Sequence, residues 1–126
     1  INEIINRKLT LKETKKMKDR LNEVSMDNWL TCIDQSLRKS GLTRKDIDYL
    51  GILHIKKSGH QFILDELGLD ESQTIYLEKY GHIGQIDQIL SLHLAHRNGK
   101  LKSGDHACLL AAGIGYVWAS SIVRWG

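Results

Sequence analysis

Proline is absent from all 126 residues. No Pro-rich linker therefore divides the chain into domains, and no polyproline stretch offers itself to a partner. Cysteine occurs twice, at Cys32 and Cys108, far apart and in apolar surroundings. That count excludes a disulfide scaffold; buried thiols in a reduced, cytoplasmic protein are the simplest reading. No apolar run approaches the roughly 18 residues that span a bilayer, so no membrane partner is expected. Aromatic residues make up only 6% of the chain and the net charge is a mild +3. A nucleic-acid site needs more than this: a basic patch interleaved with aromatics, or a known motif. No signal peptide opens the chain. The first residue is Ile1 rather than Met, and the expectation is a piece of a longer polypeptide.

What is present describes a globular α/β protein. Apolar residues make up 41% and charged residues 26%, which excludes disorder and collagen-like repeats. The length suits one domain with a real core. Seven basic residues lie between Ile1 and Arg20, against Glu3, Glu13 and Asp19. This lead reads as a solvated helix face. A boundary is expected near Ser25, giving a basic helical lead segment at 1–25 and the main domain at 26–126.

Periodicity sets the elements. Met17, Leu21 and Val24 predict a helix over 11–24. Met26, Trp29, Leu30, Ile33 and Leu37 predict a second over 26–39, with Ser25 as its N-cap and Gly41 as its stop. Thr43 to Asp46 resembles a capping sequence for one helical turn. The apolar run Tyr49 to His54 predicts a strand covered on both faces. A helix follows, capped by Ser58 and running to Leu67, with Phe62, Ile63 and Leu67 inward. Thr74 to Leu77 predicts a short strand. Ile83 to Arg97 predicts a helix burying Ile83, Ile86, Leu90 and Leu94, ended by Asn98-Gly99. Ala107–Ala112 and Tyr116–Val123 are the last strands, and they are expected to pair as neighbours. Strands alternating with helices imply a layered α/β sheet.

Three stretches fall at strand ends or just beyond: Leu50-Gly51-Ile52-Leu53-His54, Tyr80-Gly81-His82 and Ala112-Gly113-Ile114-Gly115. Loops at the carboxyl ends of strands are where α/β sheets build ligand sites. Two of these loops carry a histidine and the third offers open backbone.

From about Asp27 to Trp125 the chain resembles the C-terminal half of 3-oxoacyl-acyl carrier protein synthase III, a condensing enzyme of the thiolase superfamily. The residues that carry the resemblance are Ser36-Leu37, Ser40-Gly41-Leu42 and Asp46-Ile47-Asp48-Tyr49-Leu50, then His54. Glu66-Leu67-Gly68-Leu69, Tyr80-Gly81 and Lys100-Leu101-Lys102-Ser103-Gly104-Asp105 follow. Most specific is the end, Gly113-Ile114-Gly115-Tyr116-Val117-Trp118 through Val123-Arg124-Trp125. The resemblance implies the C-terminal half of a thiolase-like fold, a layered mixed sheet with helices.

It also implies a chemistry. In that family a Cys of the N-terminal half takes up an acyl group. A His and an Asn of the C-terminal half then promote decarboxylation of a malonyl thioester. His54 stands at the position of the family's His, and His82 at that of its Asn. Ile114 lies in the Gly-rich loop whose backbone N–H helps form the oxyanion hole, between Gly113 and Gly115. A Cys-His-His set resembles the other branch of condensing enzymes. Lys56 and Lys57 would flank the entrance and meet phosphopantetheine phosphate or acidic carrier residues. Neutral imidazole N–H groups aimed at a developing enolate would each contribute ~2–4 kcal/mol. The implied substrates are acyl-CoA and malonyl-acyl carrier protein, with no cofactor and no metal. The implied partners are the N-terminal half of the same polypeptide, acyl carrier protein or CoA thioesters, and a second copy in a homodimer.

Other readings stay open. Neither Cys32, on a helix, nor Cys108, in a strand, substitutes for the nucleophile, so this piece alone is expected to be inactive. His82 for Asn and Ile114 for a glycine also fit a non-catalytic scaffold half, or an acyltransferase that does not decarboxylate. His60 reads as a helix cap in preference to a site residue, and His106 as a surface residue. His93 and His96 share a helix face at a spacing metals can use, but no third ligand is evident.

Overall fold

The computed structural model describes residues 11–113 and 116–126. Ile114 and Gly115, expected in the oxyanion loop, lie outside the described residues, as do residues 1–10 of the basic lead. The elements in order are α1 (Leu11–Lys39), a 3₁₀ turn (Arg44–Asp46), β1 (Tyr49–Ile52) and α2 (Lys57–Leu67). A second 3₁₀ turn (Glu71–Gln73), α3 (Asp87–Arg97), β2 (His106–Gly113) and β3 (Val117–Arg124) follow.

The two helices expected on either side of Ser25 are one. No glycine or proline interrupts residues 11–39, and Ser25 sits inside the helix rather than capping it. The stop at Gly41 is as expected. Gly41 takes φ +68°, the Leu42 N–H reaches back to the Leu37 carbonyl at 2.9 Å, and the Gly41 N–H to that of Arg38 at 3.2 Å. These two bonds satisfy orphan carbonyls of the last turn. The expected turn after it forms as well, with the Thr43 N–H donating to Asp46 Oδ2 at 2.7 Å.

The three strands form one mixed sheet in the order β1-β2-β3. β1 and β2 are parallel, with Tyr49 opposite Ala107 and Ile52 opposite Leu110. β2 and β3 are an antiparallel pair from His106 opposite Arg124 to Gly113 opposite Val117. β1 is buried at all four positions, as its unbroken apolar run predicts. The strand expected over Thr74–Leu77 reduces to an isolated parallel bridge between Thr74 and Leu50.

Side-chain alternation sorts the sheet into two faces. Leu50, Ile52, Cys108 and Leu110 pack with Trp29, Ile33 and Leu37 of α1 and Ile63, Leu64 and Leu67 of α2. Tyr49 and Ala107 pack with Leu92 and Ala95 of α3 and with Leu101. The result is three layers, with α1 and α2 on one face and α3 on the other.

Two helix faces differ from expectation. α3 starts at Asp87, and its buried residues are Asp87, Ser91, Leu92 and Ala95. Ile83 and Ile86, expected inside, are 45% and 55% exposed. The buried row at i, i+4 and i+8 consists of Asp87, Ser91 and Ala95, short side chains that let the helix approach β1 closely. Gly51 takes part in that approach: a Cβ there would stand 3.6 Å from Ser91 Oγ and 2.8 Å from Leu109 Cδ2. On α2, Phe62 faces outward, and the N-cap is Lys56 rather than Ser58.

Candidate active site

The parallel pairing of β1 and β2 puts both carboxyl ends at the same edge of the sheet. Leu53, one residue past β1, still donates its N–H to the Leu110 carbonyl at 3.2 Å. Beside this edge lies a cavity of about 280 Å³ lined by Leu53, His82, Gly84, Gln88, Ala112 and Gly113, among others. All three strand-end stretches therefore converge on one place. Gln88 ties its floor together by donating from Nε2 to the Leu110 carbonyl at 2.6 Å.

The organising group is Asp87, which is wholly buried at the first turn of α3. Its Oδ1 accepts the Ile83 N–H at 2.9 Å. Its Oδ2 accepts the His54 backbone N–H at 2.9 Å and meets His82 Nδ1 at 2.6 Å. One carboxylate thus locks the β1 end to the loop that carries His82. Burial alone would push its pKa up. The N–H groups of His54 and Ile83 and the His82 ring outweigh that and hold it below the usual carboxylate value. Sequence reasoning did not single out Asp87, which falls among the polar positions of the helix expected over 83–97. The signal that could have found it is the five-residue interval from His82.

The ionised carboxylate also assigns the His82 tautomer. The proton lies on Nδ1 facing Asp87, so Nε2 of neutral His82 carries the lone pair. The His82 side chain is 55% exposed beside the cavity. His54 is held differently. Its ring packs on Tyr76, with centroids 5.0 Å apart and planes 33° apart. Its Nδ1 is buried and has no hydrogen-bond partner among the described residues.

The remaining residues separate into site and frame. Gly113 ends β2 and lines the cavity. Lys56 and Lys57 are exposed at the start of α2 and diverge. Lys56 borders an apolar groove with Met26, Trp29 and Phe62, whereas Lys57 borders a second one with Glu71, Glu78 and Lys100. His60, expected as a helix cap, is instead a core residue, and its Nε2 lies 2.8 Å from Thr74 Oγ1. Burial, helped by the charge of His54, pulls its pKa down to about 4. His106 is half-buried, its backbone N–H donating to Asp48 Oδ2 at 2.8 Å. His93 and His96 are exposed, and His96 rests near Trp125. Among the described residues no group of three or more His, Cys, Asp or Glu side chains could hold a metal. Cys108 is buried in β2, and burial pushes its thiol up to about 12.

Residues 37–125 match the family described as 3-oxoacyl-[acyl-carrier-protein (ACP)] synthase III, C terminal. The chain belongs to this family. The synthase III match contains His54, His82, Asp87 and Gly113, and it begins within α1. A beta-ketoacyl-[acyl-carrier-protein] synthase III of Clostridioides difficile (strain 630) is 32% identical over 96 residues, covering 72% of the chain and 28% of the relative. One from Synechocystis sp. (strain ATCC 27184 / PCC 6803 / Kazusa) is 34% identical over 94 residues, covering 74% and 28%. The chain thus spans little more than a quarter of these synthase III relatives. The solved synthase III of Thermus thermophilus superposes with a TM-score of 0.79 at 24% identity, covering 86% of the chain and 34% of that structure. This likeness shows the fold, the C-terminal part of a thiolase-like architecture. Among the described residues no helix is long and apolar enough to cross a membrane.

Proposed function

We propose that this chain supplies the histidine half of an acyl-thioester transfer site, completed by a nucleophilic Cys in an N-terminal half of the same polypeptide. The observation that carries the reading is the 2.6 Å contact between His82 Nδ1 and Asp87 Oδ2. It turns the His82 Nε2 lone pair outward, which suits a general base. The thiol of the absent Cys attacks an acyl-CoA or acyl-carrier thioester and releases the carrier thiol. An acceptor O–H or N–H then attacks the enzyme-bound acyl group. His82 takes the acceptor's proton and returns it to the departing cysteine sulfur. His54, with Nδ1 buried, presents Nε2–H to the thioester oxygen, alongside the backbone N–H of Ile114. Lys56 and Lys57 meet the phosphate or acidic surface of the carrier. The chain alone is inactive in this reading, and the complete enzyme is a homodimer.

Decarboxylative condensation is the second reading, favoured by membership in the synthase III family. It requires His82 to donate from Nε2, and with Nδ1 committed to Asp87 it does so only as an imidazolium.

The test uses the complete polypeptide. Intact-mass measurement with a panel of acyl-CoAs is expected to show one acyl adduct on a cysteine outside residues 1–126. Alcohol and amine acceptors should then discharge it, whereas malonyl thioesters should release little carbon dioxide. Rapid malonyl decarboxylation would shift the assignment to condensation. A folded protein that forms no adduct would make this half a scaffold.

A further inference from the structure

His82 is fixed by a hydrogen bond to its ring, but the ring of His54 is not. Its Nδ1 is buried without a partner among the described residues, and its backbone N–H is what binds Asp87. The ring lies instead against Tyr76, which is itself held at two points. The Tyr76 hydroxyl donates to the Ile55 carbonyl at 2.9 Å. Its ring meets His60 edge to face, with centroids 5.4 Å apart and planes at 87°. His60 is anchored in turn. Its Nε2 lies 2.8 Å from Thr74 Oγ1, and the Thr74 hydroxyl donates to the Leu50 carbonyl at 2.8 Å. Because that hydroxyl proton is already committed, His60 must be the donor to Thr74, which assigns its Nε2–H tautomer. These contacts form a closed brace. It leaves β1 at Leu50, passes through Thr74, His60 and Tyr76, and returns to the same segment at His54 and Ile55.

We propose that Tyr76 is a positioning residue for His54: its ring, clamped by the Ile55 carbonyl and by His60, sets the His54 imidazole plane and keeps Nδ1 buried, so that Nε2 is the nitrogen turned to substrate. This assignment rests on the acyl-transfer reading for its kinetic consequence, but the geometry itself does not depend on it. An aromatic face suits the task. It supports a ring over its whole area without offering a hydrogen bond that would compete for the imidazole proton. The buried Nδ1 then falls to the lone pair rather than to an N–H, since a stranded donor is the costlier orphan.

The test has two arms, both on the complete polypeptide. The first reads the His54 imidazole by nitrogen-15 and carbon-13 NMR in the wild type. It needs no turnover, so it stands even where the acyl-transfer reading fails. The expected signature is an Nε2–H tautomer with ring protons moved upfield by the Tyr76 ring current. An Nδ1–H tautomer, or shifts typical of a free imidazole, would overturn the proposal. The second arm compares Tyr76→Phe with Tyr76→Leu under saturating acyl donor. Tyr76→Phe keeps the face and loses the carbonyl tether, so kcat should fall roughly two- to fivefold. Tyr76→Leu loses the face, so kcat should fall ~10–100-fold, with KM within twofold and a mixed His54 tautomer. A Tyr76→Leu enzyme with wild-type kcat and an unchanged His54 spectrum would refute the positioning role. Should Tyr76→Leu fail to fold, the wild-type spectrum and Tyr76→Phe still decide.

Discussion

His82 Nδ1 and Asp87 Oδ2 stand 2.6 Å apart across the start of α3. The same oxygen accepts the His54 backbone N–H at 2.9 Å. A single buried carboxylate therefore orients one histidine by its ring and the other by its main chain. Asp87→Asn offers only one acceptor oxygen for three N–H groups, and its amide cannot hold the His82 proton on Nδ1. In the complete enzyme it should lower acyl transfer by about 10²–10⁴-fold. Adduct formation and discharge, followed separately by mass spectrometry, check this. Discharge at the wild-type rate from the folded variant would remove Asp87 from the machinery.

Acid should destabilise the fold in two steps. His60 is neutral in the folded state, pulled down to about 4 first by burial and then by the His54 charge. Its contribution is fully present above its unfolded pKa of about 6.5 and is lost as pH falls through 4. Over that window the loss is about 3 kcal/mol. His60→Gln keeps an Nε2–H for Thr74 but does not titrate, so its stability should fall less between pH 7 and pH 4. Urea unfolding at both pH values measures the difference. Asp87, with its folded pKa lowered, adds a second loss only as pH drops below about 3.9.

Cys108 should resist thiol reagents. Its sulfur is buried in β2, with Ser120 Oγ at 3.8 Å as a weak partner, and burial keeps it protonated at neutral pH. Labelling of the native protein should leave Cys108 unmodified until denaturant is added. Fast native labelling at Cys108 would contradict its place in the core.

Gly51→Ala tests how closely α3 lies on the sheet. The added methyl would meet Leu109 Cδ2 at 2.8 Å, with Ser91 Oγ and Tyr49 Cε1 each at 3.6 Å. The Leu109 side chain must turn away, at a cost of about 1–3 kcal/mol. A denaturant midpoint equal to the wild type would mean that the interface has slack there.

Much of this protein was legible in the chain itself. The unbroken apolar runs from Tyr49 and from Ala107 and the glycines at helix ends depend on neighbours in sequence, and those elements formed where the local pattern put them. The resemblance led to the synthase III family, and the strand-end residues Leu53, His82 and Gly113 do line one cavity. What the chain alone misjudged depended on approach in space. The isoleucines before α3 read as a buried face, yet the helix turns Asp87, Ser91 and Ala95 inward because Gly51 lets short side chains pack closely. Tyr76 carried no local signal, and Asp87 only its five-residue interval from His82. Their importance comes from what lies against them: three N–H groups on the carboxylate, and two histidine rings on the tyrosine. Local pattern determines which elements form. Only tertiary packing brings a buried acceptor to the donors that need it, and so decides which ring nitrogen of each histidine is left to act.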